Sequence, residues 1–439
     1  MSKTAFAWIF AYCGGLVFSF WGPFYGLLAY LLDYYAHPPL HWWGKGLPDL
    51  RWSLLAAVVL LLTYLFNGYS LFDTMIVRHP QTKWLVCFLI VALSVTPFAV
   101  SVDRSVHYLK DIAKLTLLYF LIVGTVRTPK EFRWFVLVMI LGGLLWGVDA
   151  FIDPTRRGGR LYGVGGPDSD SDNSAAAHLV TALPFIGIIF LIGNLRERAI
   201  CLAAAPFVLN TLVLCNSRGA TVAIGAAIVA GLFLAKGRLR FQLVGMGLLA
   251  GVLFLFLVDK TFIERQWTIV DYEQDGSATG RIESWKGALR LIRDHPLGTG
   301  GGGFDILSPV YIPEIVAAHG GEERAVHNTY LWVGSDWGIA GLICFMGFIL
   351  STLFELHAIR KQTISRRIYY ESFAIEVALV GFLTAAFFIN RPYAEILYWL
   401  AGLTAALRNI QEKDDGNAEP VADGESFPIE RDHLAWSRG

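Results

Sequence analysis

Charge is scarce in this sequence: 16% of the residues are Asp, Glu, Lys or Arg, in equal numbers of each sign, so the net charge is zero. That balance excludes the basic footprint of a nucleic-acid binder, and no nucleic acid is expected as a partner. Cysteine is sparse as well. Cys13, Cys87, Cys201, Cys215 and Cys344 all fall inside apolar runs and form no CxxC pair, which makes them small buried hydrophobes rather than disulfides or metal ligands. HExxH and GxSxG are absent, so metalloprotease and serine-hydrolase chemistry have no residues to use. The first apolar stretch, from Ala5 to Leu32, is too long for a cleavable signal peptide and lacks a small-residue cleavage site, so it is expected to stay as the first membrane segment. Acidic and basic residues are also missing from the middle of the apolar runs, with Glu376 and Glu395 close to run ends. An ion-coupled transporter usually keeps an ionisable relay at mid-membrane, which weakens a transport reading.

What the chain has in quantity is apolar surface: 55% of its 439 residues are hydrophobic and the mean hydropathy is +0.50. A soluble protein of this length cannot hide so much, so lipid must be part of its solvent. Crossing the hydrocarbon core takes roughly 20 mostly apolar residues. Runs that qualify are 5–34, 52–68, 84–102, 112–126, 133–152, 175–193, 199–216, 219–235, 241–259, 328–352, 372–390 and 393–408. They predict an all-α polytopic membrane protein of about twelve spans. The run 5–34 carries Gly22–Pro23 in its middle and reads as a kinked helix or two short segments. The run 112–126 is the weakest candidate of the set.

Orientation follows from basic residues in short loops. With the N-terminus inside, the cytoplasmic loops hold Arg127, Lys130 and Arg133, then Arg196 and Arg198, then Lys236, Arg238 and Arg240, then Arg360, Lys361, Arg366 and Arg367. An even number of spans leaves the C-terminus inside too, followed by a polar tail from about Gln411 to Gly439 that is expected to be disordered. The chain divides into N-terminal spans (1–152), a core with two external loops (153–352), C-terminal spans (353–410) and the tail (411–439). The external loops are the informative part. The loop 153–174 contains Arg156, Arg157 and Arg160, although such loops usually lack this charge, and the connection 260–327 is the longest in the chain.

Within that long connection, Ile282 to Arg293 reads as a helix, with Ile282, Trp285, Leu289 and Ile292 on one apolar face and Glu283, Lys286, Arg290 and Arg293 on the rest. Such a helix lies along the membrane surface or caps the bundle. Pro296 ends it. The following Gly298-Thr299-Gly300-Gly301-Gly302-Gly303 contains a formal GxGxxG, but it follows a helix rather than a strand and has no βαβ context. It reads either as a flexible turn that lets backbone approach a ligand or as a plain hinge. The acidic stretch Asp168-Ser169-Asp170-Ser171-Asp172 lacks the Gly and distal Glu of an EF-hand loop and reads as solvated loop.

The outer span ends collect Arg160, Asp172 and Asn173, then Asn216-Ser217-Arg218-Gly219, Arg281, and His327-Asn328. An arginine between two long apolar runs, as at Arg218, either snorkels to the interface or offers a planar fork of donors to an anionic headgroup such as a lipid diphosphate. His327 either packs or caps the next helix, or takes a proton from a sugar hydroxyl, since an imidazole titrates near neutrality. Asn173, Ser217, Trp285 and Asn328 complete the candidate substrate contacts.

Three blocks carry a family resemblance: NSRGA at Asn216–Ala220, GRIESWKGALRLIRDHPLGTGGGGF at Gly280–Phe304, and AVHNTYLWVGSDWGIAGL at Ala325–Leu342. Together they resemble the O-antigen ligase and polymerase superfamily over about residues 155–350. Ligases, polymerases and protein O-oligosaccharyltransferases share these blocks. The resemblance implies a GT-C-like fold of bacterial inner-membrane helices with a long periplasmic loop containing short helices. It also implies a metal-independent, cofactor-free, inverting glycosyltransferase that takes an undecaprenyl-diphosphate-linked glycan as donor and lipid A core, a polysaccharide or a protein as acceptor, with the active site periplasmic. The family's SRG arginine corresponds to Arg218, its HN histidine to His327 and its loop-helix arginine to Arg281. An earlier external arginine corresponds to Arg160, with Arg156 and Arg157 as competitors. The Pro-Asn pair frequent after that arginine reads here Ser171-Asp172-Asn173.

Overall fold

The computed structural model describes residues 2–157, 159–169, 171–267 and 276–417. Its described residues are helical apart from connections and one short β-ribbon, in which Arg156–Arg157 pairs antiparallel with Arg160–Leu161. In chain order the helices are α1 (Lys3–Phe18), α2 (Pro23–Ala36), α3 (Trp52–Phe66), α4 (Thr74–Val77), α5 (Pro80–Val95), α6 (Val102–Thr125), α7 (Pro129–Ile152), α8 (Asp172–Ile192), α9 (Leu195–Cys215), α10 (Arg218–Leu234) and α11 (Gly237–Leu257). The long connection folds into α12 (Lys260–Trp267), α13 (Gly276–Asp294), α14 (Gly303–Tyr311) and α15 (Pro313–Ala318), and the bundle resumes with α16 (Thr329–Gln362), α17 (Arg366–Ala386) and α18 (Glu395–Asn417). Seven of these helices, α5 with its 3-10 extension, α7, α8, α9, α11, α16 and α17, are long and apolar enough to cross a membrane. The chain is an all-α polytopic membrane protein. The last residues described reach Asn417, so the expected disordered tail, 418–439, lies outside the described residues, while 411–417 continues α18.

Helix ends fall where capping side chains occur. Thr128 and Glu131 form a capping box around Pro129 at the start of α7, and Asn194 and Glu197 do the same for α9. Ser171, Ser217 and Asn328 cap α8, α10 and α16 by accepting backbone N–H groups.

The first apolar run is two helices. Gly22–Pro23 starts a new helix after a reversing turn, and a Cβ on Gly15 would meet the Ala29 Cβ at 2.9 Å, so α1 and α2 lie back to back. The Tyr12 hydroxyl donates to the Trp52 carbonyl at 2.7 Å, and Asn67 donates to the Phe20 carbonyl at 3.4 Å. The start of α1, the end of α2 and the start of α3 therefore share one end of the bundle. Tyr34 and Tyr35 tie that end to Asp168 and Trp146, beside the long loop. The C-terminal end of α18 pairs with Arg78 and Arg367 at the opposite end. The start of α1 and the C-terminal end of α18 thus lie at opposite ends of the bundle, and the run that hydropathy merges into one is a helical hairpin.

The run 112–126 belongs to a longer helix. α6 begins at Val102, and its polar first half carries Ser105 and Tyr108 to the underside of the glycine run. That run is anchored by hydrogen bonds to α16. Thr299 and Gly300 donate to the Asp336 carbonyl at 3.1 and 2.8 Å, and Gly302 donates to the buried Asp336 carboxylate at 2.8 Å. The Asp336 side chain thus satisfies N–H groups at the start of α14. α16 is kinked at Gly338, whose φ is 70°; a Cβ there would meet the Leu297 carbonyl carbon at 2.5 Å, and one on Gly298 the Asp336 carbonyl oxygen at 2.6 Å. Glycine is required because two backbones touch.

α13 caps the bundle end. Its buried stripe is Ser284, Ala288 and Leu291, packed with Phe304, Ile312, Val326 and Trp332. Trp285 and Ile292 flank this stripe, whereas Leu289 points outward at 57% exposure, so the expected apolar face is rotated. The cause is that α14 and α15 dock on the side that carries Gly287, which a larger residue would close.

Candidate functional site

At the loop-bearing end, the α9–α10 turn, α12, α13 and the end of α17 surround a small cleft with free space of about 10 Å³, room for one water-sized group. Arg218, Arg265 and Arg281 line it, together with Asn173, Ser217, Gly219 and the apolar Phe388 and Ile389. Among the described lining residues there is no carboxylate.

The turn that presents Arg218 is built from its own residues. Asn216 closes α9 in the left-handed conformation (φ 48°, ψ 45°), which Asn tolerates better than other side-chain-bearing residues. Its carbonyl accepts from Arg265 Nε at 2.9 Å, and its side chain reaches the Thr261 carbonyl at 3.4 Å, so α12 is fastened to this turn. Ser217 caps α10 and donates to Asn173 Oδ1 at 2.7 Å. Arg218 is then the first residue of a seventeen-residue helix, and the positive end of that helix adds to its charge.

The arginines of the 153–174 loop separate. Arg156 pairs with Asp259 at 3.2 Å, and Arg157 lies over the Tyr162 ring. Arg160 reaches the site's margin. It meets Asp172 at 2.5 Å, donates to Asn173 Oδ1 at 2.6 Å and to the Cys215 carbonyl at 3.3 Å, and it is not among the residues lining the pocket. The acidic stretch is likewise divided, since Asp172 serves Arg160 while Asp168 serves Arg391; Asp170 lies outside the described residues. Among the described residues no cluster of metal-ligating side chains forms.

His327 precedes α16 in the left-handed conformation, with φ at 56°. Burial, and then the charges of Arg281 and Arg324, push its pKa down to about 4, so the ring is neutral at neutral pH. Arg281 links the two parts of the site, because it lines the pocket and also acts on His327. The Asn328 side chain is committed to capping α16, accepting from Tyr330 and Leu331 at 3.0 Å each. Trp285 packs edge-on against Phe387 with centroids 6.3 Å apart, beside the pocket wall, and its buried indole N–H has no partner among the described residues.

Sequence reasoning missed Arg265, which no motif surrounds, and the connection 387–394, whose Asn390 and Arg391 contact the His327 segment and the Asp168 turn. The only signal for either was an arginine beside an apolar run, as at Arg391.

Residues 200–346 match the family model described as O-antigen ligase, a stretch that contains Arg218, Arg265, Arg281 and His327. No curated protein matches the chain. The match covers about a third of the chain, and this likeness to the O-antigen ligase family points to glycan transfer in O-antigen or related pathways.

Proposed function

We propose, from an O-antigen ligase family region that gathers three arginines on one pocket, that the chain transfers a glycan from an undecaprenyl-diphosphate-linked donor to an acceptor hydroxyl. The pocket's charge suits the diphosphate: guanidinium forks from Arg218, Arg265 and Arg281 meet its oxygens, and the start of α10 aims N–H groups at the same place. As the sugar–phosphate bond breaks, negative charge grows on the leaving diphosphate, and fixed cations stabilise it without rearranging. These side chains supply the positive charge the reaction needs, so neither metal nor cofactor enters the scheme. Ser217 and Asn173, the latter held by Arg160, keep Arg218's turn in place.

His327 serves as general base. Its ring is unprotonated at neutral pH and accepts the proton of the acceptor hydroxyl as that oxygen attacks the anomeric carbon. A bound diphosphate offsets the Arg281 charge that depresses the imidazole, so donor binding strengthens the base. Attack from the face opposite the leaving group inverts the configuration. Trp285 supplies an aromatic wall with a spare N–H donor for a sugar ring.

The side of the membrane follows from charge in the short loops. Arg127, Lys130, Arg133, Arg196, Arg198, Lys236, Arg238 and Arg240 lie at the end away from the pocket, which the positive-inside rule assigns to the cytoplasm. The pocket then faces the periplasm from the inner membrane, and the start of α1 faces it too. The observation that carries the reading is the convergence of Arg218, Arg265 and Arg281 beside a neutral His327. The test is purified full-length chain in detergent, given lipid-diphosphate-linked glycan and acceptor from the same cells. Release of undecaprenyl diphosphate with glycan transfer is expected; a donor left intact, or His327→Ala and Arg218→Ala proteins of full activity, would sink the proposal.

A further inference from the structure

We infer that Asn390, in the connection between α17 and α18, is a positioning residue that sets the backbone of His327; the inference rests on the role of His327 as base. A non-glycine residue at φ 56° occupies a sparsely populated conformation and keeps it only where its surroundings hold it there. The decisive bond is the one from the Asn328 N–H to Asn390 Oδ1, at 3.0 Å. That N–H belongs to the peptide joining His327 to Asn328, so the carboxamide of Asn390 fixes the plane from which the imidazole projects.

Asn390 is itself clamped. The Thr329 hydroxyl donates to the Ile389 carbonyl at 2.7 Å and accepts from the Arg391 N–H at 2.8 Å, holding the backbone on both sides of Asn390. The Arg391 guanidinium is buried and reaches Ser169 Oγ at 3.2 Å and Asp168 Oδ2 at 3.4 Å. The same Asp168 oxygen accepts the Glu395 N–H at 2.8 Å and so caps α18. The connection therefore cannot slide along either the His327 segment or the Asp168 turn. It joins the loop that carries Arg160 to the segment that carries the base, and it lies outside the stretch matched by the family model.

The test measures transfer kinetics of Asn390→Leu and Asn390→Asp, alone and combined with His327→Ala, with donor and acceptor extracted from the native membranes. Asn390→Leu is expected to lower kcat about 100-fold, the scale of an ångström-sized misplacement, with donor KM within about threefold of wild type. Asn390→Asp keeps the acceptor oxygen and restores most of the rate. In the His327→Ala background, Asn390→Leu changes nothing further, because its effect passes through the imidazole. Where the leucine variant does not fold, Asn390→Ala gives the same readout. The inference is overturned by wild-type kcat in Asn390→Leu or Asn390→Ala, or by the same fractional loss with and without His327. Full activity of His327→Ala on its own would instead sink the base assignment.

Discussion

At the end of the bundle away from the long loop, Arg360 meets Glu376 at 2.5 Å, Arg133 meets Glu371 at 3.3 Å, and Arg367 meets Glu371 and Asp414 at 2.9 and 3.0 Å. At the loop-bearing end, Arg218, Arg265 and Arg281 line a single pocket, and Asp172 pairs with Arg160. The same residue type serves two purposes. Paired across helices, it locks the connections at that end against one another. Grouped on a pocket wall beside a helix N-terminus, it gives the positive charge on which the proposed donor site rests.

The comparison breaks most visibly if the two sets of arginines respond alike. Arg281→Ala is expected to lose about 10³-fold in kcat/KM, with the smaller of the two changes in thermal unfolding. Arg360→Ala should do the reverse. It strands Glu376 in a largely buried position, a change on the order of 3–5 kcal/mol read as a lower unfolding midpoint, with turnover per folded molecule preserved. Next in size is His327→Ala, with a loss of at least about 10²-fold in kcat and little change in protein level. The pH profile sharpens this point. Because the free imidazole is depressed to about 4, the acid limb of kcat/KM should fall toward that value rather than at the usual 6.5, and the limb should vanish in His327→Ala. Gly338→Ala, where two backbones touch at φ 70°, should destabilise by roughly 1–3 kcal/mol in a denaturation series. Smallest of all, Leu289→Ser on the outer face of α13 should shift stability by no more than about 0.5 kcal/mol, whereas Leu291→Ala on the buried stripe costs about 2–5 kcal/mol.

Hydropathy made most of the bundle legible, because a long apolar run has one stable fate in lipid. It failed where length misled. Residues 5–34 are long enough for one oversized span, and only the packing of Gly15 on Ala29 decides for a hairpin. α6 was read short because Asp103, Arg104, Lys110 and Asp111 hide the helix that continues through them. The site was legible as far as motifs reach: Arg218, Arg281 and His327 sit in sequence blocks, and the fold brings them to one end. Arg265 and Asn390 were not, since each acquires its place from a contact far away in sequence, Arg265 through Asn216 and Asn390 through Asn328. The glycine run shows the limit of composition. Glycine signals either freedom or close approach, and only the nearby Asp336 carboxylate and carbonyl reveal the second.

One helix stands apart from these fixed contacts. In α11, only 6% of the apolar window is covered by protein, and Gly245, Gly247 and Gly251 face open space. Its 21 residues measure roughly 31 Å end to end, close to the thickness of a hydrocarbon layer. An apolar helix so little covered by protein suits acyl chains as neighbours. A bilayer that thins or thickens is therefore felt first along α11, which must tilt or sink to keep its ends wet while the rest of the bundle holds its shape. Two residues separate its end from α12, whose Arg265 lines the pocket.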